Sequence, residues 1–164
     1  MNQENFYTVR GYQLLNEKNT LLTSSMEDYL EMIYRVCLEE GFVRINELAS
    51  KLNVRPSSTT KIVQKLERLR YVNYEKYGVI KLTKEGETLG AFLLKRHMIL
   101  EDFLSNLGVE DTLKDTEMIE HDVSLSTLIN IQLLNRFFSD NPDILKFYDA
   151  YKEQWNAEQP NALL

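Results

Sequence analysis

Residues 44–69 read Arg44-Ile45-Asn46-Glu47-Leu48-Ala49-Ser50-Lys51-Leu52-Asn53-Val54-Arg55-Pro56-Ser57-Ser58-Thr59-Thr60-Lys61-Ile62-Val63-Gln64-Lys65-Leu66-Glu67-Arg68-Leu69. In the first part, from Arg44 to Val54, Ile45, Leu48, Ala49 and Leu52 recur at helical spacing and are expected to face a core. A break at Arg55-Pro56-Ser57-Ser58 leads into a second helix from Thr59 to Leu69. Proline at a helix start costs little, because the missing N–H has no intrahelical partner there. Two short helices joined in this way predict a helix-turn-helix. Beyond them, Tyr71-Val72-Asn73-Tyr74-Glu75 and Val79-Ile80-Lys81-Leu82-Thr83 read as strands around Lys76-Tyr77-Gly78, a turn with glycine available for positive φ. That hairpin is the expected wing.

Upstream, Thr23-Ser24-Ser25 offers N-caps to a helix carrying Met26, Tyr29, Leu30, Ile33, Tyr34, Cys37 and Leu38 and ending near Gly41. Residues 1–22 show no sustained periodicity and read as an N-terminal extension with no assigned role. Downstream, a long helix is expected from Thr83 or Lys84 to just before Gly108. Three more follow: one around Asp115 to Asp122, one from Leu125 to Phe138, and, after Asn141-Pro142 as a stop, one from Ile144 to Trp155.

The chain has 164 residues and 43% hydrophobic content, enough to bury a core and to exclude gross disorder. No run approaches a membrane span, and the N-terminus lacks a basic region followed by an apolar one, so a cytoplasmic location is expected. The single cysteine, Cys37, has no partner for an internal disulfide and reads as a packing residue. The net charge of -6 conceals an asymmetry. Residues 44–96 hold 12 Lys/Arg against 5 Asp/Glu, whereas residues 97–164 hold 4 against 13. A basic middle beside an acidic end suggests one surface for phosphates and another for cations or water.

In a helix-turn-helix the second helix enters the major groove with its N-terminal residues nearest the base edges. Here Ser57, Ser58 and Thr60 are short enough for close approach, Gln64 can pair with adenine, and Lys61 and Lys65 suit the backbone or guanine. Lys76, with Tyr77 and Lys81, would reach DNA from the wing. The bland alternative is that the Ser-Ser-Thr-Thr run only caps a helix and the lysines are solvated. The order of elements and the local positive surplus favour double-stranded DNA as the partner.

Both histidines stand one helical turn from acids. His121 follows Glu117 and Glu120, Asp28 and Glu31 are three apart on the first helix, and His97 has Glu101 four residues on, so each set shares a helix face. Four carboxylates and two imidazoles without a thiolate favour a hard or borderline divalent ion such as Mn(II) or Fe(II). Two such ions would balance Asp28, Glu31, Glu117 and Glu120, which otherwise repel one another, so metal is expected to act as a conformational clamp. Each pair alone reads more readily as helix-dipole acids or a solvated face, and the case rests on their combination.

These residues together resemble a known family. Ser25-Met26-Glu27-Asp28-Tyr29-Leu30-Glu31, the Pro56-Ser57-Ser58-x-Thr60-Lys61-x-Val63-Gln64-Lys65-Leu66 run, Tyr74-Glu75-Lys76-Tyr77, Arg96-His97 and Glu117-x-Ile119-Glu120-His121 resemble the manganese transport regulator branch of the diphtheria toxin repressor family, over residues 23–140. The resemblance implies a homodimeric repressor whose corepressor is Mn(II), two ions per subunit, acting at operators of manganese-uptake genes. By motif, Asp28, Glu117, Glu120 and His121 resemble the ligands of one ion, and Glu31, His97, Glu117 and Glu120 those of the second. The iron-responsive branch typically has Met where Asp28 stands and Cys where Glu117 stands, so both positions point to manganese, with Fe(II) as the alternative. Three features depart from the pattern: the extension before residue 23, Asp122 in place of a histidine, and a slightly short segment between His97 and Glu117. With so few residues after residue 140, the SH3-like domain of many iron-type relatives is expected to be absent.

The resulting expectation is a mainly α protein. Residues 23–94 would form a winged helix-turn-helix DNA-binding domain and residues 95–164 an all-helical metal-binding and dimerisation domain that buries the Leu125 to Phe138 face against its two-fold mate. Neither a membrane nor a small organic substrate is expected. Two other readings compete: a di-metal carboxylate enzyme, which leaves the basic winged helix unexplained, and a metal-independent winged-helix regulator or protein-interaction module, in which the acids are surface.

Overall fold

A computed structural model describes residues 22–158. Its elements, in chain order, are α1 (Ser24–Glu40), β1 (Val43–Arg44), α2 (Ile45–Lys51), α3 (Pro56–Arg68), β2 (Val72–Tyr74), a 3-10 turn (Lys76–Gly78), β3 (Val79–Leu82), α4 (Lys84–Leu107), α5 (Thr112–Ile119), α6 (Leu125–Asp140) and α7 (Pro142–Glu158). The fold is mainly helical with a small antiparallel sheet in the order β1-β3-β2. It divides into two compact units, one ending at Arg96 and the other beginning at His97.

In the first unit, α1 opens as its sequence predicts: the Thr23 hydroxyl accepts the Met26 N–H, and Gly41 closes the helix at φ 76°. Helix α2 is shorter than the apolar pattern suggested. Val43 and Arg44 are extended and pair with Ile80 and Val79 of β3, and such long-range pairing leaves no local periodic signal. The turn after α2 places Asn53 at φ 53°, with the Val54 N–H donating to the Ala49 carbonyl, a left-handed helix end that asparagine tolerates. Helix α3 starts at Pro56 rather than Thr59, so Ser57 and Ser58 belong to its first turn.

Only Thr59, Val63 and Leu66 of α3 are buried. They join a core that includes Leu30, Ile33, Leu48, Tyr71, Ile80 and Leu89. The hairpin is tied to α3 through Glu67, whose carboxylate accepts the Tyr74 N–H at 3.1 Å. Thr83 links β3 to α4: its hydroxyl donates to the Arg70 carbonyl at 2.7 Å and accepts the Gly86 N–H at 3.0 Å. Gly86 is required at this joint, because a β-carbon there would collide with the Tyr71 carbonyl oxygen.

The second unit holds the rest of α4 with α5, α6 and α7. Asp111 caps α5 and Ser124 caps α6, each accepting the backbone N–H three residues on. Asn135 of α6 donates to the Ile99 carbonyl at 2.9 Å and accepts from Asn106 at 3.2 Å, fixing α6 on α4. Lys152 of α7 donates to the Leu107 carbonyl at 3.2 Å, satisfying an end carbonyl of α4. Helix α5 spans Thr112–Ile119 instead of Asp115–Asp122, so Glu120 and His121 stand in the turn that follows it. Pro142, expected as a stop, is the first residue of α7, a position where its fixed φ suits a helix.

Candidate metal centre and DNA interface

On α1, Asp28 and Glu31 lie one turn apart. Asp28 is exposed, and Glu31 is buried. Glu31 accepts from Arg35 on the next turn, at 3.0 Å from Nε and 2.6 Å from the terminal nitrogen. On the same helix, Glu27 forms a buried ion pair with Arg96 of α4 at 2.9 Å. This contact between Arg96 and the first helix has no sequence signature, since the partners are 69 residues apart.

In the second unit, His97 and Glu120 are both buried, and His97 Nδ1 lies 3.0 Å from Glu120 Oε2. His121 Nε2 stands 3.9 Å from the other carboxylate oxygen of Glu120, and His97 Nε2 stands 3.9 Å from Glu101. Glu120 keeps helical backbone and donates its N–H to the Thr116 carbonyl, so its side chain continues the face of α5 although the helix has formally ended. Sequence reasoning thus finds three groups that the fold brings together: His97, Glu120 and His121. Glu117 is exposed on α5 and has no polar side-chain partner among the described residues. Asp122 is exposed in the turn. The donors are carboxylate oxygens and imidazole nitrogens with no thiolate, a set that fits a hard or borderline divalent cation.

Some cations of the first unit are engaged by acids, and others, around α3, are open. Arg35, Lys51, Lys81 and Arg96 each face a carboxylate, those of Glu31, Glu47, Glu75 and Glu27 respectively. Lys61 and Lys65 on α3, with Arg55 before it, Arg68 and Arg70 at its far end and Lys76 on the wing, have no side-chain partner among the described residues. Gln64 is exposed between them. Ser57 and Ser58 are exposed and do not cap the helix, whereas the Thr60 hydroxyl donates to the Pro56 carbonyl at 3.0 Å. Tyr77 is 92% exposed at the wing tip and sits at φ 62°. An uncompensated positive surface centred on one helix suits a polyphosphate partner.

Comparison with known sequences matches residues 21–80 to the family described as iron dependent repressor, N-terminal DNA binding domain, and residues 83–147 to iron dependent repressor, metal binding and dimerisation domain. The chain belongs to the iron-dependent repressor family. It is 43% identical over 136 residues to the HTH-type transcriptional regulator MntR of Lysinibacillus sphaericus, covering 82% of this chain and 98% of that protein. A second regulator named MntR, from Shouchella clausii, is 46% identical over 121 residues, covering 73% of this chain and 85% of that protein. Among solved structures of the family, that of the manganese regulator SloR superposes with a TM-score of 0.61 at 27% identity, covering 68% of this chain and 54% of that one. The chain therefore spans about half the length of that solved relative. The iron-dependent repressor fold, a winged helix-turn-helix followed by a helical dimerisation domain, agrees with the element order described above.

Proposed function

We propose that this chain is a Mn(II)-activated transcriptional repressor that binds operator DNA as a homodimer and controls manganese-uptake genes. The observation that carries the reading is the chemistry of the donor set. Buried His97 and Glu120 are in contact at 3.0 Å, His121 adjoins them, and among the described residues no sulfur ligand joins them. Asp28, Glu31, His97, Glu117, Glu120 and His121 would hold two Mn(II) ions per subunit. Bound metal supplies positive charge that offsets the mutual repulsion of the four carboxylates and so favours the DNA-competent conformer, by no more than its differential affinity for that conformer. The names of the relatives, MntR and manganese regulator SloR, agree with manganese over iron.

The DNA-binding half comprises residues 23–94, with Ser57, Ser58, Thr60, Lys61, Gln64, Lys65 and Lys76 at the operator. The metal-binding and dimerisation half comprises residues 95–164. Homodimerisation is supported by α6 and α7, where Leu133, Phe137, Phe147, Tyr151 and Trp155 are all exposed, while Leu128 is the only buried hydrophobic side chain described on those two helices. A pair of helices with so little interior needs a second apolar surface. Among the described residues no helix is long and apolar enough to cross a membrane. The protein acts in the cytoplasm by occupancy of DNA and carries out no turnover.

Fluorescence anisotropy tests this reading, with purified protein and a candidate operator at fixed salt, in Mn(II), in anaerobic Fe(II) and in chelator. Mn(II)-dependent binding that disappears in Asp28→Ala and Glu120→Ala supports it. Equal binding with and without metal refutes the gating, and tighter binding with Fe(II) than with Mn(II) replaces manganese by iron.

A further inference from the structure

We infer that Arg55 reads a guanine in each operator half-site; the inference rests on the DNA-binding reading above. Helix α3 begins at Pro56, so Arg55 is its N-cap, with extended backbone at φ -77° and ψ 138°. Nothing in helix chemistry favours arginine there. The position prefers a short side chain with an acceptor oxygen, and a guanidinium has donors only. Its charge also meets the positive end of the helix dipole, and the first turn of α3 contains no acid to offset it.

The same residue type caps α2, but Arg44 is occupied: its backbone pairs with Val79 in the sheet and its guanidinium lies 5.9 Å above the Phe42 ring. Arg55 is exposed and has no side-chain partner among the described residues. A residue that opposes its own helix, with no compensating contact in the fold, marks a functional position.

Its location selects the ligand. The N-terminal end of a recognition helix is the part nearest the base edges. Ser57 and Ser58 beside Arg55 are small, so they leave room for the backbone to approach, and Lys61, Lys65 and Lys76 are available for phosphates. A guanidinium fork matches the O6 and N7 acceptors of guanine in the major groove and no other base edge as well.

The test uses the full chain with Mn(II), as wild type and as Arg55→Asn, in a selection from randomised duplexes followed by anisotropy titrations at several salt concentrations. Asparagine is a better N-cap, so the variant is expected to melt a few degrees higher. It is also expected to bind the wild-type consensus about tenfold more weakly, to lose preference at one G·C pair per half-site, and to keep the salt slope. Equal weakening on every sequence, with a slope smaller by about one, would make Arg55 a phosphate contact and overturn the inference. Unchanged consensus and affinity would overturn it too, as would a lower melting temperature, which would mean that Arg55 supports the fold. Failure of the wild type itself to enrich any sequence would remove the DNA-binding reading, and this inference with it.

Discussion

Removal of Arg96 gives the sharpest energetic test of the first unit. Its guanidinium and the Glu27 carboxylate are 3% and 8% exposed and 2.9 Å apart, so both charges are largely out of water. At an effective dielectric constant of about 20 their attraction is about 6 kcal/mol, comparable with the several kcal/mol that each ion loses on desolvation. The pair is therefore close to neutral in net stability, but keeping one buried charge after removing the other is costly. Arg96→Met is expected to destabilise by about 3–5 kcal/mol, because the buried Glu27 carboxylate would lose the Arg96 guanidinium, and Glu27→Met by a similar amount. The double variant Glu27→Met/Arg96→Met should recover most of that loss, since two thioether side chains fill the space without a charge. Urea unfolding followed by circular dichroism, in chelator and at one protein concentration, measures all four corners of the cycle. A single-variant loss below about 1 kcal/mol, or a double variant at the sum of the singles, would refute the assignment of this pair as a buried, mutually dependent contact.

Three further outcomes are expected. Gly86→Ala should cost about 2–3 kcal/mol, because its β-carbon meets the fixed Tyr71 carbonyl, whereas Gly41→Ala, strained only by its φ of 76°, should cost about 1 kcal/mol; thermal melts compare them. Burial pushes the Cys37 thiol up from 9.0 to about 11, with Glu87, Glu40 and Glu47 adding to the shift and a Leu82 backbone hydrogen bond opposing it. The unfolded chain then ionises first, so this group removes stability as pH rises beyond 9.0, and iodoacetamide at pH 8 should label the native thiol about 100-fold more slowly than the unfolded one. Leu133→Asp/Phe137→Asp should convert the homodimer to monomer in sedimentation runs; an unchanged dimer would place the interface elsewhere.

What could be read from the sequence followed physical range. Periodicity and capping chemistry act within a turn or two, and they located α1, the α2–α3 pair, the hairpin and α4, whose end before Gly108 was anticipated. Strand β1 leaves no trace in the sequence, because two residues carry no period and their pairing with Ile80 and Val79 is a tertiary event. Helix α5 starts three residues before the expected Asp115, because Asp111 caps it, a local signal weaker than the Glu117-x-Ile119-Glu120-His121 run. Candidate site residues were found because acids and histidines shared helical faces, and His97 and Glu120, 23 residues apart, do meet. The exposure of Glu117 and the engagement of Glu31 by Arg35 were not evident, because spacing says which face a residue occupies and nothing about what competes for it. Nor did the sequence separate the lysines and arginines already paired with acids from those left open around α3.

That only three side chains of α3, Thr59, Val63 and Leu66, are buried also bears on how such a protein diversifies. Its anchoring and its outward-facing positions are different residues, so the outward set can be exchanged without touching the interior. Substitutions at Ser57, Ser58, Lys61, Gln64 and Lys65 fall among surface changes, which usually alter stability by no more than about 0.5 kcal/mol. On the operator contacts proposed above, preference can thus drift, or be re-engineered one base pair at a time, on a scaffold whose folding is little affected by the choice.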